Sequence, residues 1–193
     1  YIIMKKLYIL FFILLLPNSS LALIEVDITR GNLNPLPIAV SPLSIDENSR
    51  QNFKKILKKK NIGSEISKVV ENNLKTSGLF NPLNKDAFLQ APDIANLKPR
   101  FEDWNLIKAQ ALITGKVSYV DEKLRVEFRL WDVLAGKEIM ALAFTTVPNN
   151  WRRVGHIITD KVYERLTGEK GYFDTRIIYV AEEGPKTKRI KKL

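Results

Sequence analysis

The stretch ALITGKVSYVDEKLRVEFRLWDVLAGKEIMALAFTT spans residues 111–146 and decides the fold. Ile113, Val117 and Tyr119 alternate with Thr114, Lys116 and Ser118, the period of two that puts one face of a strand in a core and the other in water. Asp121-Glu122-Lys123 turns the chain, and Leu124, Val126, Phe128 and Leu130 then alternate with Arg125, Glu127 and Arg129. Ala135-Gly136 turns it again. The third segment sets Met140, Leu142 and Phe144 against Ile139, Ala141, Ala143 and Thr145, apolar on both sides, and reads as a strand buried on both faces. The three segments together form an antiparallel meander.

On either side of the meander the period changes. Ile62, Ile66, Val69, Val70 and Leu74 recur at spacings of four, three, one and four, one face of an α-helix; Asn61 is its N-cap and Gly78 its stop. Trp151, Val154, Ile158, Val162 and Leu166 give a second long helix closed by Gly168. Phe101, Trp104 and Ile107 suggest a short one. Upstream, Ile24, Val26 and Ile28 alternate with Glu25, Asp27 and Thr29 as a half-buried strand. A second strand over Leu36–Leu43 is limited to its middle by Pro35, Pro37 and Pro42. Residues 44–60 read as a loop running into a short helical piece, and residues 81–99 as loop with one short strand. Two helices with one apolar stripe each need a sheet to bury it. The expectation is a layered α/β domain over roughly residues 24–170: a mixed sheet of about five strands, with two long helices on one side.

Composition excludes several functions. With no Cys among 193 residues there is no disulfide, thiolate metal site or Cys nucleophile, and a single His rules out a multi-histidine cage. The net charge of +10 invites an anionic partner. Much of the excess sits in two runs, Lys54, Lys55, Lys58, Lys59 and Lys60, and Lys186, Lys188, Arg189, Lys191 and Lys192. Only Phe53 interleaves with them, so base stacking is poorly supported and a solvated surface is the plainer reading. No G-x-S-x-G, H-E-x-x-H, Walker or G-x-G-x-x-G motif is present. His156, beside Arg152 and Arg153, reads as a boundary histidine without a companion base or nucleophile. Glu182-Glu183 reads as a surface turn, and Trp104, Trp131 and Trp151 as core or boundary aromatics. No catalytic, metal or cofactor site emerges, which favours a binding module over an enzyme.

The first residues carry an address. Lys5 and Lys6 precede ten apolar residues, Leu7–Leu16, and Ser20-Leu21-Ala22 is a small-x-small cleavage site, so residues 1–22 read as a signal peptide with an upstream extension before Met4. The apolar run is short of the ~20 residues of a transmembrane span. Cleavage is expected between Ala22 and Leu23.

The mature chain then shows a series of particular stretches. It begins Ile24-Glu25-Val26-Asp27-Ile28-Thr29-Arg30-Gly31, continues with Pro37-Ile38-Ala39-Val40-Ser41-Pro42-Leu43, and opens a helix at Ile62-Gly63 that exits through Ser77-Gly78-Leu79-Phe80. Phe128-Arg129-Leu130-Trp131-Asp132 and the run Gly171-Tyr172-Phe173-Asp174-Thr175-Arg176-Ile177-Ile178-Tyr179-Val180 come next in order. In these stretches the chain resembles the TolB family, periplasmic components of the Tol–Pal system of Gram-negative bacteria. The resemblance implies an N-terminal α/β domain followed by a six-bladed β-propeller, of which this chain reaches only a first strand, Arg176–Ala181. The organisation it implies is a signal segment over 1–22, a partner-binding segment over 23–34, the α/β domain over 35–172 and a truncated propeller start over 173–193.

The same resemblance implies the function. The segment after the signal peptide, Leu23, Ile24, Glu25, Val26, Asp27, Ile28, Thr29, Arg30, Gly31 and Asn32, would bind TolA, and the propeller would bind Pal. The chain would be a fragment of a non-enzymatic periplasmic adaptor acting in cell division, the cell cycle, outer-membrane integrity and protein import. A free-ended alternating strand suits that role, because it can add to the edge of a partner's sheet. The residues alone favour the plainer reading, the first strand of the domain, and it is the resemblance that turns this toward a partner contact. An exported α/β enzyme and a polyanion-binding module using Lys54–Lys60 are the other classes; steep salt dependence of binding would mark the latter.

Overall fold

The computed structural model describes residue 24 and residues 34–59, 61–175, 181–184 and 190–192. Its elements run β1 (Leu36–Val40), β2 (Ser44–Ile45), α1 (Glu47–Leu57), α2 (Ile62–Thr76), β3 (Phe80–Pro82), α3 (Pro92–Leu97), α4 (Phe101–Leu106), β4 (Ala111–Val120), β5 (Lys123–Asp132), β6 (Lys137–Thr146), α5 (Trp151–Thr167), β7 (Ala181–Glu183) and β8 (Ile190–Lys192). The meander is β4–β5–β6. Its first turn is tighter than expected: only Asp121 and Glu122 lie between the strands, both at positive φ (49° and 60°), the two-residue form that matches strand twist.

The main sheet is six-stranded and mixed, in the order β3-β1-β4-β5-β6, with β2 also on β4. β1 runs parallel to β3 and to β4, with Ile38 opposite Ala111 and Pro82. Past Val40 the ladder breaks where Pro42 has no N–H to give. A hydroxyl from α2 bridges the gap: Ser67 accepts the Leu43 N–H at 3.0 Å and donates to the Ser41 carbonyl at 3.0 Å. β2 then resumes on β4, Ser44 opposite Lys116. The strand expected over Leu36–Leu43 thus stops at Val40, and β2 forms at residues 44–45, which were expected to be loop; with it the sheet has six strands.

α2 and α5 cover one face, as their stripes require. Asn61 caps α2, its side-chain oxygen accepting the Ser64 N–H at 3.1 Å, and Gly168 closes α5 at φ 74°. The helices approach closely because residue 155 is glycine: a Cβ there would stand 2.8 Å from Cβ of Val69. Between helices and sheet lies the main core, with Ile38, Ile66, Leu74, Leu124, Val126, Phe128, Leu130 and Ile158 each at most 1% exposed. Burying one such side chain contributes roughly 1.5–3 kcal/mol against leaving it in water.

Three expectations need correction. Helices do not lie on one side alone. The short α3 and α4 cover the opposite face beside β1 and β4, over a second core of Ala39, Ala95, Trp104, Ala109, Leu112 and Val133. Six-residue helices span fewer than two turns, too few for an apolar period to show in 81–99. α1 is likewise a full helix of 11 residues where a loop with a short helical piece was expected; Asp46 caps it by accepting the Ser49 N–H at 2.9 Å, and only Ser49 and Phe53 are buried. Finally, β6 is not buried on both faces. It is the edge of the sheet and holds no buried residue, because the helix layer stops short of it and Leu142 remains 38% exposed.

Near the C-terminus Ala181–Glu183 pairs antiparallel with Ile190–Lys192. Glu182 and Glu183 therefore lie in a strand rather than in a turn. The remainder of the expected strand, residues 176–180, lies outside the described residues.

Candidate partner-binding surface

The expected TolA-binding residues start at Leu23. Of these the structure describes Ile24 alone, half-buried against the main core; Leu23, Glu25, Val26, Asp27, Ile28, Thr29, Arg30, Gly31 and Asn32 lie outside the described residues. The segment is joined to the sheet through Asn34 and Pro35, both exposed, which lead into β1. β1 is an inner strand, bonded on both sides, and the Leu36 N–H donates to the Leu79 carbonyl at 2.9 Å. The chain thus enters the described sheet at a strand paired on both sides.

The basic run is drawn partly into structure. Lys59 places Nζ 4.9 Å from the centre of the Trp151 ring and 3.4 Å from a Glu65 carboxylate oxygen, tying the end of α1 to the starts of α5 and α2. Lys54, Lys55 and Lys58 are exposed, as is Ile56 between them. Lys60 and, in the second run, Lys186, Lys188 and Arg189 lie outside the described residues; Lys191 and Lys192 are on β8.

His156 faces α2 rather than a cleft. Asn73 reaches its Nδ1 at 2.9 Å and donates to Thr159 Oγ1 at 3.1 Å. Burial pulls the imidazole below its ordinary pKa, and the neighbouring Arg152 pulls the same way. The bonds from Asn73 to His156 and Thr159 hold the two helices together. Trp104 is 1% exposed and donates Nε1–H to Gln90 at 2.8 Å, while Trp131 donates to Thr114 at 2.9 Å, so both are packing residues as expected.

An open cleft of about 310 Å³ lies between β2, α1 and α3, lined by Pro42, Leu43, Ser44, Ile45, Arg50, Asn61, Pro92 and Asp93. It offers one acid and one guanidinium, with no nucleophile paired to a base. Among the described residues no group of three or more His, Asp or Glu could hold a metal ion, and no helix is long and apolar enough to cross a membrane.

Sequence reasoning missed Asp160. It lies on α5 between the buried Thr159 and Val162, and its carboxylate accepts the backbone N–H groups of Phe173 at 2.7 Å and Asp174 at 3.0 Å. An acidic residue bordering an apolar stripe, followed by two glycines, is the only signal the sequence offers for it.

Comparison with known proteins places this geometry. The model of the TolB amino-terminal domain family matches residues 24–139. The chain is 82% identical over 191 residues to Tol-Pal system protein TolB of Pelagibacter ubique (strain HTCC1062), a match that covers 99% of this chain and 42% of that protein. The chain thus spans less than half the length of this curated relative. Among solved structures, TolB from Acinetobacter baumannii superposes with a TM-score of 0.59 at 22% identity, over 82% of this chain and 35% of that one, a likeness of fold. The match of the family model across most of the α/β domain, on a sheet and helix layer of the same fold, shows that the chain belongs to the TolB amino-terminal domain family.

Proposed function

We propose that this chain is the TolA-binding part of a periplasmic adaptor of the Tol–Pal system, reached after removal of the leader at Ala22. The observation that carries the reading is the 82% identity, over 99% of the chain, to a Tol-Pal system TolB. The segment Leu23–Asn32 makes the TolA contact by adding a strand to the partner's sheet, its backbone groups supplying affinity and Ile24, Val26 and Ile28 supplying the apolar face. In support, the segment is alternating in pattern and precedes an inner strand that is paired on both sides. The family resemblance assigns a Pal contact to the propeller and not to the α/β domain. The adaptor works without catalysis, linking TolA to the outer-membrane side during envelope invagination in division.

The test is a deletion that starts the chain at Leu36. Helical circular dichroism is retained and TolA pull-down is lost. Unchanged TolA capture refutes the assignment, and collapse of the fold makes the segment part of the domain instead.

A further inference from the structure

α5 is already finished when the chain reaches residue 170. The Gly168 N–H donates to the Glu164 carbonyl at 3.0 Å, and the Glu169 N–H to the Thr167 hydroxyl at 3.1 Å, which closes the helix end. The contacts of residues 171–174 therefore do not serve to cap the helix. The chain turns back along α5, and these residues are fastened to it at successive points. Gly171 lies so close that a Cβ would stand 2.5 Å from Cα of Asp160. Each oxygen of the Asp160 carboxylate takes one backbone N–H, from Phe173 at 2.7 Å and from Asp174 at 3.0 Å. Asp174 then reaches Arg153, seven residues before Asp160 and so on the same face of α5, with Nε 3.0 Å from Oδ1 and Nη2 3.0 Å from Oδ2. Phe173 packs 5.8 Å from Tyr163 and stacks on Tyr172 at 4.5 Å.

We infer that Asp160 is a positioning residue which, with Arg153, locks residues 171–174 onto α5, so that the chain leaves the α/β domain past Thr175 in one fixed direction. A backbone held by two consecutive N–H groups, a returning ion pair and a ring packed edge-to-face on Tyr163 cannot swing without breaking several contacts together. Any folded unit beyond Thr175 is then oriented by the domain rather than strung on a flexible linker. This does not depend on which partner the N-terminal segment binds.

The chain has no cysteine, so Lys75→Cys and Thr175→Cys, both at exposed positions, give a uniquely spin-labelled pair. Pulsed electron resonance on this chain is expected to give a single narrow distance distribution. Asp160→Ala broadens it at least about twofold and speeds amide exchange of Phe173 and Asp174 by about tenfold or more, while the Val126 and Phe128 amides stay slow. A broad distribution in the parent, or an unchanged width in Asp160→Ala, overturns the inference. Should Asp160→Ala also lose protection at Val126 and Phe128, the exposed substitution Arg153→Gln decides: broadening at residue 175 supports the lock, and an unchanged width overturns it.

Discussion

Asn73 on α2 donates its side-chain amide to Nδ1 of His156 on α5 at 2.9 Å. That bond requires Nδ1 to be unprotonated. Burial and Arg152 lower the imidazole's pKa from its ordinary 6.5, against the smaller opposing pull of Asp174 and Asp160. The folded protein therefore favours the neutral ring. In the unfolded chain His156 takes up a proton near 6.5, so its contribution is complete above that pH and is lost as pH falls toward the lower folded value. The urea midpoint is expected to fall between about pH 7.5 and about pH 5.5, and His156→Gln to make that fall shallower. An identical pH dependence in parent and variant would disconnect His156 from it.

Gly155 tests the helix contact. Alanine raises helix propensity by up to about 1 kcal/mol, yet its Cβ would stand 2.8 Å from both Cβ and Cγ1 of Val69, which is 6% exposed. Overlap so near the α2 backbone cannot be relieved by one rotamer, so overpacking wins. Gly155→Ala is expected to destabilise by roughly 1–3 kcal/mol. Val69→Ala in the same chain recovers part of that loss, a coupling read from a double-mutant cycle of urea midpoints. Strict additivity would place the strain elsewhere.

Pattern length decided which elements were legible in the sequence. β4, β5, α2 and α5 each run ten residues or more, so the periods of two and 3.6 had room to declare themselves. α3, at six residues, had not; α4 is as short and showed only through Phe101, Trp104 and Ile107, so Trp104 could be seen as a core residue without the second core it organises. β6 misled for a different reason. Its residues are apolar on both sides, but whether a strand is inner or edge is set by sheet order, which composition does not encode. Asp160 stayed hidden because its partners are backbone N–H groups, present at nearly every position. The proposed TolA-binding segment rests on resemblance, and its strand pattern alone favours a strand of the domain.

The edge position of β6 yields a contrast with β5. Leu142 and Phe128 face each other in the ladder, yet Phe128 is fully buried and Leu142 is 38% exposed. Phe128→Ala is expected to cost roughly 3–5 kcal/mol, through lost burial and the cavity left beneath α5. Leu142→Lys changes stability by no more than about 0.5 kcal/mol, because the lysine stem can lie along the edge with its ammonium in water. Chemical denaturation of the two variants measures both. A large loss at Leu142 would mean that the edge is covered in solution.

The lysines in and just after α1 separate in the same way. Lys59 caps the Trp151 ring at 4.9 Å and bridges to Glu65 at 3.4 Å, with a side chain 35% exposed. A partly exposed cation over a tryptophan contributes about 0.5–1 kcal/mol, and the ion pair adds at most a similar amount. Lys54 stands in water on α1 with no ion-pair partner among the described residues. Both substitutions remove one positive charge from the same run, so a purely electrostatic role for the run treats them alike. A structural role for Lys59 does not. Lys59→Gln is expected to lower stability by about 1 kcal/mol and to change Trp151 fluorescence, whereas Lys54→Gln leaves both unchanged. If the two variants behave identically in stability and fluorescence, Lys59 is one more solvated lysine. If instead both weaken binding to heparin with a steep salt dependence, the exposed face of α1 is a polyanion site and the Trp151 contact is incidental to it.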